Sequence, residues 1–259
     1  MAEQIEIPAS FPVAADVAGK RVVITGAGRG LGRLLAHAFS DAGAHVALVA
    51  RTETDLKTVA QELPGPSLVF GGDVTDGAFN DDVADAAVVE WGGLDVWICN
   101  AGISPIVAGP VETDPAVWRQ VLEVNLTGAF LGARAAARVM RDGGRLIFTG
   151  SVLGERPREG LSAYSASKAG LVGMAKALAL DLAPARITVN VVAPGWFDSP
   201  LAEGFKNNPQ LESGVLGHTA QRRWGAPTDL AGAYQFLASD AAAFVTGTVL
   251  NVDGGYLLV

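Results

Sequence analysis

The sequence predicts one doubly wound α/β domain: a mostly parallel, seven-stranded sheet with helices on both faces. Three observations predict it. Short β-branched runs alternate along the chain with longer segments whose apolar residues recur every three or four positions. Each run is separated from the next by enough chain for a crossover helix, which parallel strands require. No Ser/Gly linker or composition shift marks an internal boundary within the 259 residues, a length that suits a single α/β core.

Residues 1–16 read as a loosely held arm, and 17–259 as the domain. Arg21–Thr25 is a short β-branched run and hence a buried strand. Leu31, Leu34, Leu35, Ala38, Phe39 and Ala42 then recur at helical spacing until Gly43 stops the helix. Val46–Val49 is the second strand, followed by a helix ending before Pro64-Gly65-Pro66, and Leu68–Phe70 is the third strand. A helix over Asp76–Trp91 leads to a fourth strand, Leu94–Cys99. The second half repeats the rhythm with helix Leu126–Met140, strand Arg145–Thr149, helix Ala163–Leu182 and strand Ile187–Val192. Helix Leu230–Ser239 and strand Thr248–Val252 close it. Only 194–228 breaks the period. A loop of that length in a compact domain is usually functional, and it begins at a strand's carboxyl end, where ligands bind in such folds. Its apolar members Trp196, Leu201, Phe205 and Leu211 are expected to cover a substrate.

Composition excludes several classes. With 49% hydrophobic and 18% charged residues the chain is not disordered. A net charge of -8 argues against nucleic acid or an anionic membrane as partner. One cysteine permits neither an intramolecular disulfide nor a Cys-rich metal cluster. The start, MAEQIEIPAS, has neither the basic residues nor the apolar run of a secretory signal. The longest uncharged stretch, Val96–Val111, contains an asparagine, two prolines and two glycines and is no membrane span. A cytoplasmic location is expected.

The first strand runs into Thr25-Gly-Ala-Gly-Arg-Gly-Leu-Gly32. Glycines let a backbone approach a pyrophosphate, which the positive N-terminus of the next helix stabilises. Leu31 stands where the common dinucleotide spacing has glycine or alanine, so Gly26, Gly30 and Gly32 carry a G-x-x-x-G-x-G pattern. At the end of the second strand, where an NAD site offers a carboxylate to the adenosine ribose, the chain has Arg51. A guanidinium binds a 2′-phosphate bidentately, and Arg29 stands ready to assist, so NADP(H) is favoured over NAD(H). Glu53 and Asp55 lie close by, and Arg51 as a solvated helix start is the bland alternative.

Tyr164-Ser-Ala-Ser-Lys168 sets a phenol and an ammonium on one helical face. A nearby cation favours phenolate, bringing a group that ordinarily titrates near pH ~10 toward neutrality. Ser151 ends the preceding strand, where a hydroxyl can hydrogen-bond a substrate carbonyl.

With these motifs the chain resembles the classical short-chain dehydrogenase/reductases from about Val17 to its end. The resemblance is carried by Thr25–Gly32, Asp73-Val74, Asn100-Ala101-Gly102, Asn125, Ser151, Tyr164 with Lys168, and Pro194-Gly195. It implies a Rossmann-type fold and hydride exchange between NADP(H) and a carbonyl or secondary alcohol. It implies Tyr164 as general acid or base, Ser151 as the group polarising the carbonyl, and Lys168 gripping the nicotinamide ribose and lowering the tyrosine pKa. Asn125 would hold a proton-relaying water. Asp73 and Val74 would flank the adenine, while Asn100, Ala101 and Gly102 would shape the cofactor cleft. Gly28, Leu31, Pro194, Gly195, Phe197 and Ser199 would complete it, Ser199 standing where the family often has threonine. Ser104, Leu153, Arg156, Trp196 and Phe205 would line the substrate end.

Within the family the chain looks like the gluconate 5-dehydrogenase-like and 3-oxoacyl-carrier-protein reductase-like branches. The implied substrate is a sugar acid, polyol or small carbonyl compound, with a 3-oxoacyl carrier thioester as alternative and a non-catalytic NADP-sensing protein as a reading of another class. Arg156 and Arg158 would suit an anionic substrate, Trp196 and Phe197 a greasier one. Arg134, Arg138 and Arg141 form a stripe that either greets an acidic carrier or is solvated surface. His37, His45 and His218 lack a second ligand at metal spacing, so no metal site is expected. Cys99 reads as a small buried hydrophobe, and Trp91, Trp97 and Trp118 as core or interface anchors. A homotetramer, paired through Leu230–Ser239 and the tail Tyr256–Val259, is implied by the resemblance.

Overall fold

A computed structural model describes residues 15–105, 107–199 and 202–259. Most of the expected arm, and Leu201, lie outside the described residues. The strands are β1 Arg21–Thr25, β2 His45–Ala50, β3 Ser67–Gly71, β4 Val96–Cys99, β5 Gly144–Thr149, β6 Ile187–Pro194 and β7 Val249–Val252. They form a seven-stranded sheet in the order β3-β2-β1-β4-β5-β6-β7, and every pairing is parallel. The order reverses between β1 and β4, and ligands of such sheets bind in the crevice beyond the carboxyl ends at that point.

The central strands are buried on both faces, which is why they read as unbroken apolar runs. Val22, Ile24, Val46, Leu48, Val96 and Ile98 pack under α1 (Gly30–Asp41), α2 (Glu53–Glu62) and α9 (Pro227–Ala238). Val23, Ala47, Val49, Trp97, Leu146 and Phe148 turn the other way, under α3 (Gly77–Trp91), α5 (Gly128–Val139) and α6 (Ser162–Leu182). At the amino ends of β1 and β4, Arg21 Nε and Nη2 each donate to Asp95 at 2.7 Å, and the Arg21 amide donates to the same carboxylate at 2.8 Å.

Two parts of the chain depart from the expectation. Helix Leu126–Met140 is the second half of a longer rod: α4 (Pro115–Leu122) runs through a π-helical turn, Glu123–Thr127, into α5. The irregular segment contains α7 (Glu203–Lys206) and α8 (Pro209–Gly217). Each missed helix of at least two turns had a start signal, an Asp114-Pro115 and an Asn208-Pro209 pair. The Asp114 and Asn208 side chains accept first-turn amides, and the prolines occupy the first turn.

Candidate active site

Gly26 has φ +70° and Gly30 φ +54°, left-handed conformations that glycine adopts without penalty. A Cβ on Gly32 would lie 2.1 Å from the Gly26 carbonyl oxygen, so only glycine lets the first turn of α1 close onto the loop. No side chain caps α1, leaving its first amides and the positive end of its dipole at the loop. A cleft of about 810 Å³ opens here. Gly26, Gly28, Arg29, Gly30 and Leu31 line one end of it, with Arg51, Asp73 and Val74 across from them.

Arg29 and Arg51 are exposed and form no ion pair among the described residues. Glu53 is taken up by Lys57 at 2.7 Å, whereas Asp55 lines the cleft. Asp73 Oδ1 accepts the Thr75 amide and hydroxyl at 2.9 and 2.8 Å, and Asn80 Nδ2 holds the Val74 carbonyl at 2.8 Å. The floor is pinned by Asn100, whose Nδ2 donates to the Thr25 carbonyl at 2.9 Å and whose Oδ1 accepts the Thr149 hydroxyl at 3.2 Å. Ala101 donates its amide to the Thr25 hydroxyl at 3.0 Å. Pro194, Gly195, Phe197 and Ser199 also line the cleft.

Tyr164 and Lys168 stand one turn apart on α6, and both reach the cleft beside Ser151. Ser151 Oγ accepts the Leu153 amide at 3.1 Å, starting the short turn that follows β5. Lys168 is 4% exposed; its Nζ donates to the Thr149 carbonyl at 2.7 Å. Desolvation lowers its pKa to about 8. Burial pushes the Tyr164 phenol above its ordinary value, and the Ser151 hydroxyl acts in the opposite sense. Burial is the larger effect on the phenol; the Lys168 ammonium donates to the strand-end carbonyl and stands 5.6 Å from the Tyr164 ring centre.

Asn125 sits in the π-helical turn, not on the cleft lining. Its Oδ1 accepts the Ile103 amide at 2.7 Å, and its Nδ2 donates to the Ile103 carbonyl and to Ser167 Oγ, both at 3.0 Å. Both side-chain N–H groups are thereby used, so the amide group clamps the 103 loop to α6 and has no donor left for a water. Ser167 in turn donates to the Tyr164 carbonyl at 2.7 Å. Sequence reasoning missed Ser167, Thr149 as a hub, and Tyr234, whose hydroxyl meets Thr149 Oγ1 at 2.8 Å.

At the substrate end the structure brings Ser104, Leu153, Trp196 and Phe205 together. Arg156 is not among them. Its guanidinium donates to the main-chain carbonyls of Tyr256, at 3.0 Å, and Val259, and its charge lies 5.5 Å from the Tyr256 ring centre. Burial of Tyr256 seats the last turn beside this guanidinium, which corrects its assignment to the lining. Val107, Leu161, Ala202 and Glu203 line this end unforeseen. Trp196 packs on Phe205, Trp224 and Tyr256 with centres 4.7, 6.1 and 6.3 Å apart. The arginine stripe is largely committed too: Arg138 pairs with Asp85 at 2.8 Å and Arg134 with Asp81 at 3.3 Å, fastening α5 to α3.

A dinucleotide fits the residues present. Besides the uncapped α1, the bare Gly102 leaves room beside Lys168 Nζ, which a Cβ there would approach to 3.6 Å, so a sugar edge can reach the ammonium. Among the described residues no group of three His, Cys, Asp or Glu could hold a metal ion.

A doubly wound sheet with a glycine turn at its reversal, and a Tyr-x-x-x-Lys helix facing a strand-end serine, define a nucleotide-dependent oxidoreductase. The family described as enoyl-(acyl carrier protein) reductase matches residues 26–257. The chain is 35% identical over 243 residues to a 3-oxoacyl-[acyl-carrier-protein] reductase of Escherichia coli, covering 93% of this chain and 98% of that one. It is 38% identical over 244 residues to the cis-4-hydroxycyclohexanecarboxylate dehydrogenase of Sinomonas cyclohexanicum, covering 92% and 96%. A crystal structure of a candidate NAD(P)-dependent gluconate 5-dehydrogenase from Beutenbergia cavernae, with NADP bound at low occupancy, superposes with a TM-score of 0.88. It is 34% identical and covers 95% of this chain and 100% of that one. The chain belongs to the classical short-chain dehydrogenase/reductase family.

Proposed function

We propose that this oxidoreductase uses NADP(H) to interconvert a ketone and its secondary alcohol, with Tyr164 exchanging the proton. The observation that carries the reading is the meeting of Tyr164, Ser151 and Lys168 at one cleft whose other end presents an uncapped helix and two exposed arginines. When bound, the nicotinamide cofactor supplies or accepts the hydride.

This chain's residues do the rest. Tyr164 holds its proton tightly in the buried site, as a donor to a carbonyl oxygen must until charge develops there. Ser151 orients that oxygen. Lys168 is fixed by Thr149, with two further N–H groups for the ribose cradle at Gly102. Asn125 and Ser167 hold the Tyr164 turn in register. Arg51 and Arg29 receive a 2′-phosphate, with Asp55 as the neighbouring acid that tempers the preference. The Beutenbergia cavernae neighbour, which holds NADP, supports the same choice.

For the substrate, a small carbonyl compound or alcohol is the coarse class shared with the dehydrogenase relative, whose own named substrate is a carboxylate; a sugar acid is less well served here, because Arg156 is turned to the main chain. The Escherichia coli relative favours a second reading, a 3-oxoacyl carrier thioester, although Arg134 and Arg138 are already paired. Among the described residues no helix is long and apolar enough to cross a membrane. A cytoplasmic homotetramer, paired through α9 and the tail, completes the proposal. The test is a panel of ketones, keto-sugar acids and a 3-oxoacyl thioester with NADPH and NADH, followed by absorbance. Faster oxidation of NADPH with a ketone supports the reading. Tight NADPH binding without turnover of any of them would favour a nucleotide sensor.

A further inference from the structure

Six charged residues line the cleft among those described: Arg29, Arg51, Asp55, Asp73, Lys168 and Glu203. The first four stand at the glycine-loop end, Arg29, Arg51 and Asp73 in the turns after β1, β2 and β3 and Asp55 in the first turn of α2. Lys168 is buried and bonded to Thr149. At the far end only Glu203 carries charge, and it is an acid.

The cations nearest that end are turned elsewhere. Arg156 holds main-chain carbonyls of the last turn. Arg158 is outside the lining; its charge lies 5.5 Å from the Trp196 ring centre and 5.4 Å from that of Phe205, a stacked cation–π position. Lys206 is paired with Asp198. The walls are otherwise Val107, Leu153, Leu161, Trp196, Ala202 and Phe205, with the hydroxyls of Ser104 and of Ser199, next to Ala202, beyond the catalytic pair.

Resting on the ketone reading above, we propose that the substrate is an uncharged, predominantly apolar ketone, or the matching alcohol, and that Glu203 selects against anions. A carboxylate here would lose part of its hydration, find no cation on the nearby lining but the tethered Lys168, and share the cleft with the Glu203 carboxylate. A polyhydroxylated chain would leave most of its hydroxyls against carbon. An apolar skeleton meets an aromatic wall already held in place by Trp224, Tyr256 and Arg158, so little ordering opposes its binding.

The experiment compares a pair of similar size, 4-methylcyclohexanone and 4-oxocyclohexanecarboxylate, with a ketohexose as third substrate and NADPH saturating. The methyl ketone is expected to exceed both others in kcat/KM by at least tenfold. A margin below tenfold, or preference for the carboxylate, overturns the proposal. In Glu203→Lys, at an exposed position, the carboxylate-to-methyl ratio of kcat/KM is expected to rise at least tenfold; an unchanged ratio removes Glu203 from the account. Calorimetric titration of the two matching alcohols into the protein with NADP⁺ gives the same comparison as a ratio of Kd. That separates the two claims: a tenfold preference in binding without turnover would refute the ketone reductase reading and leave the pocket's selectivity standing.

Discussion

Lys168 reaches the Thr149 main-chain carbonyl at 2.7 Å while its ammonium stands 5.6 Å from the centre of the Tyr164 ring. The contact fastens α6 to the end of β5 at the residue whose hydroxyl also meets Asn100 and Tyr234. Helix α6 and the cleft floor at Asn100 are thus joined through one threonine, and Lys168 is a tether as well as a charge.

The tether carries a pH signature. Burial lowers Lys168 from 10.5 to about 8, so between those values the unfolded chain binds the extra proton and stability rises with pH. Relative to Lys168→Met, the parent is expected to gain up to ~3 kcal/mol from about pH 8 to about 10.5, and to lose that gain as pH falls through 8. Urea unfolding of both proteins at pH 7 and 10.5 measures it. A constant difference would mean that the ammonium is not desolvated.

On the proposed reading, Arg51 sets the choice of cofactor. Losing a charge-assisted pair to a phosphate typically costs about 1.5–3 kcal/mol, so Arg51→Ala is expected to weaken NADPH binding roughly ten- to hundredfold and NADH binding far less. Fluorescence titration with both cofactors reads the split. An equal loss for the two would show that Arg51 does not meet a phosphate.

Stability away from the site depends on Arg21 and Asp95. Burial raises the carboxyl of Asp95, but the Arg21 side-chain and amide bonds together outweigh it and hold the group below its ordinary value. Asp95→Asn is therefore expected to cost about 1–3 kcal/mol at neutral pH. The parent's advantage is full above the ordinary carboxylate range and is lost as pH falls through the lowered folded-state value. Denaturant midpoints of parent and variant that stay equally far apart at pH 7 and in acid would contradict the pairing.

The fold was largely legible because β1, β2, β4 and β6 are buried on both faces and so announce themselves as apolar runs. The glycine loop and the Tyr164, Lys168 and Ser151 trio are local patterns whose spacing survives folding. Contacts made by sequence-distant groups did not show. Nothing in a linear reading says that Arg156 will find carbonyls at Tyr256 and Val259, or that the Lys168 ammonium will meet Thr149 and not the phenol. The π-helical turn at Asn125 hid within a pattern that reads as ordinary helix, and α8 was masked by the Pro, Gly and polar residues around it.

The account stands on the phenolic proton of Tyr164. In Tyr164→Phe, NADPH affinity is expected to stay within threefold of the parent while kcat for ketone reduction falls by roughly 10²–10⁴-fold or more. Turnover within tenfold of the parent, with binding intact, would show that the proton comes from elsewhere.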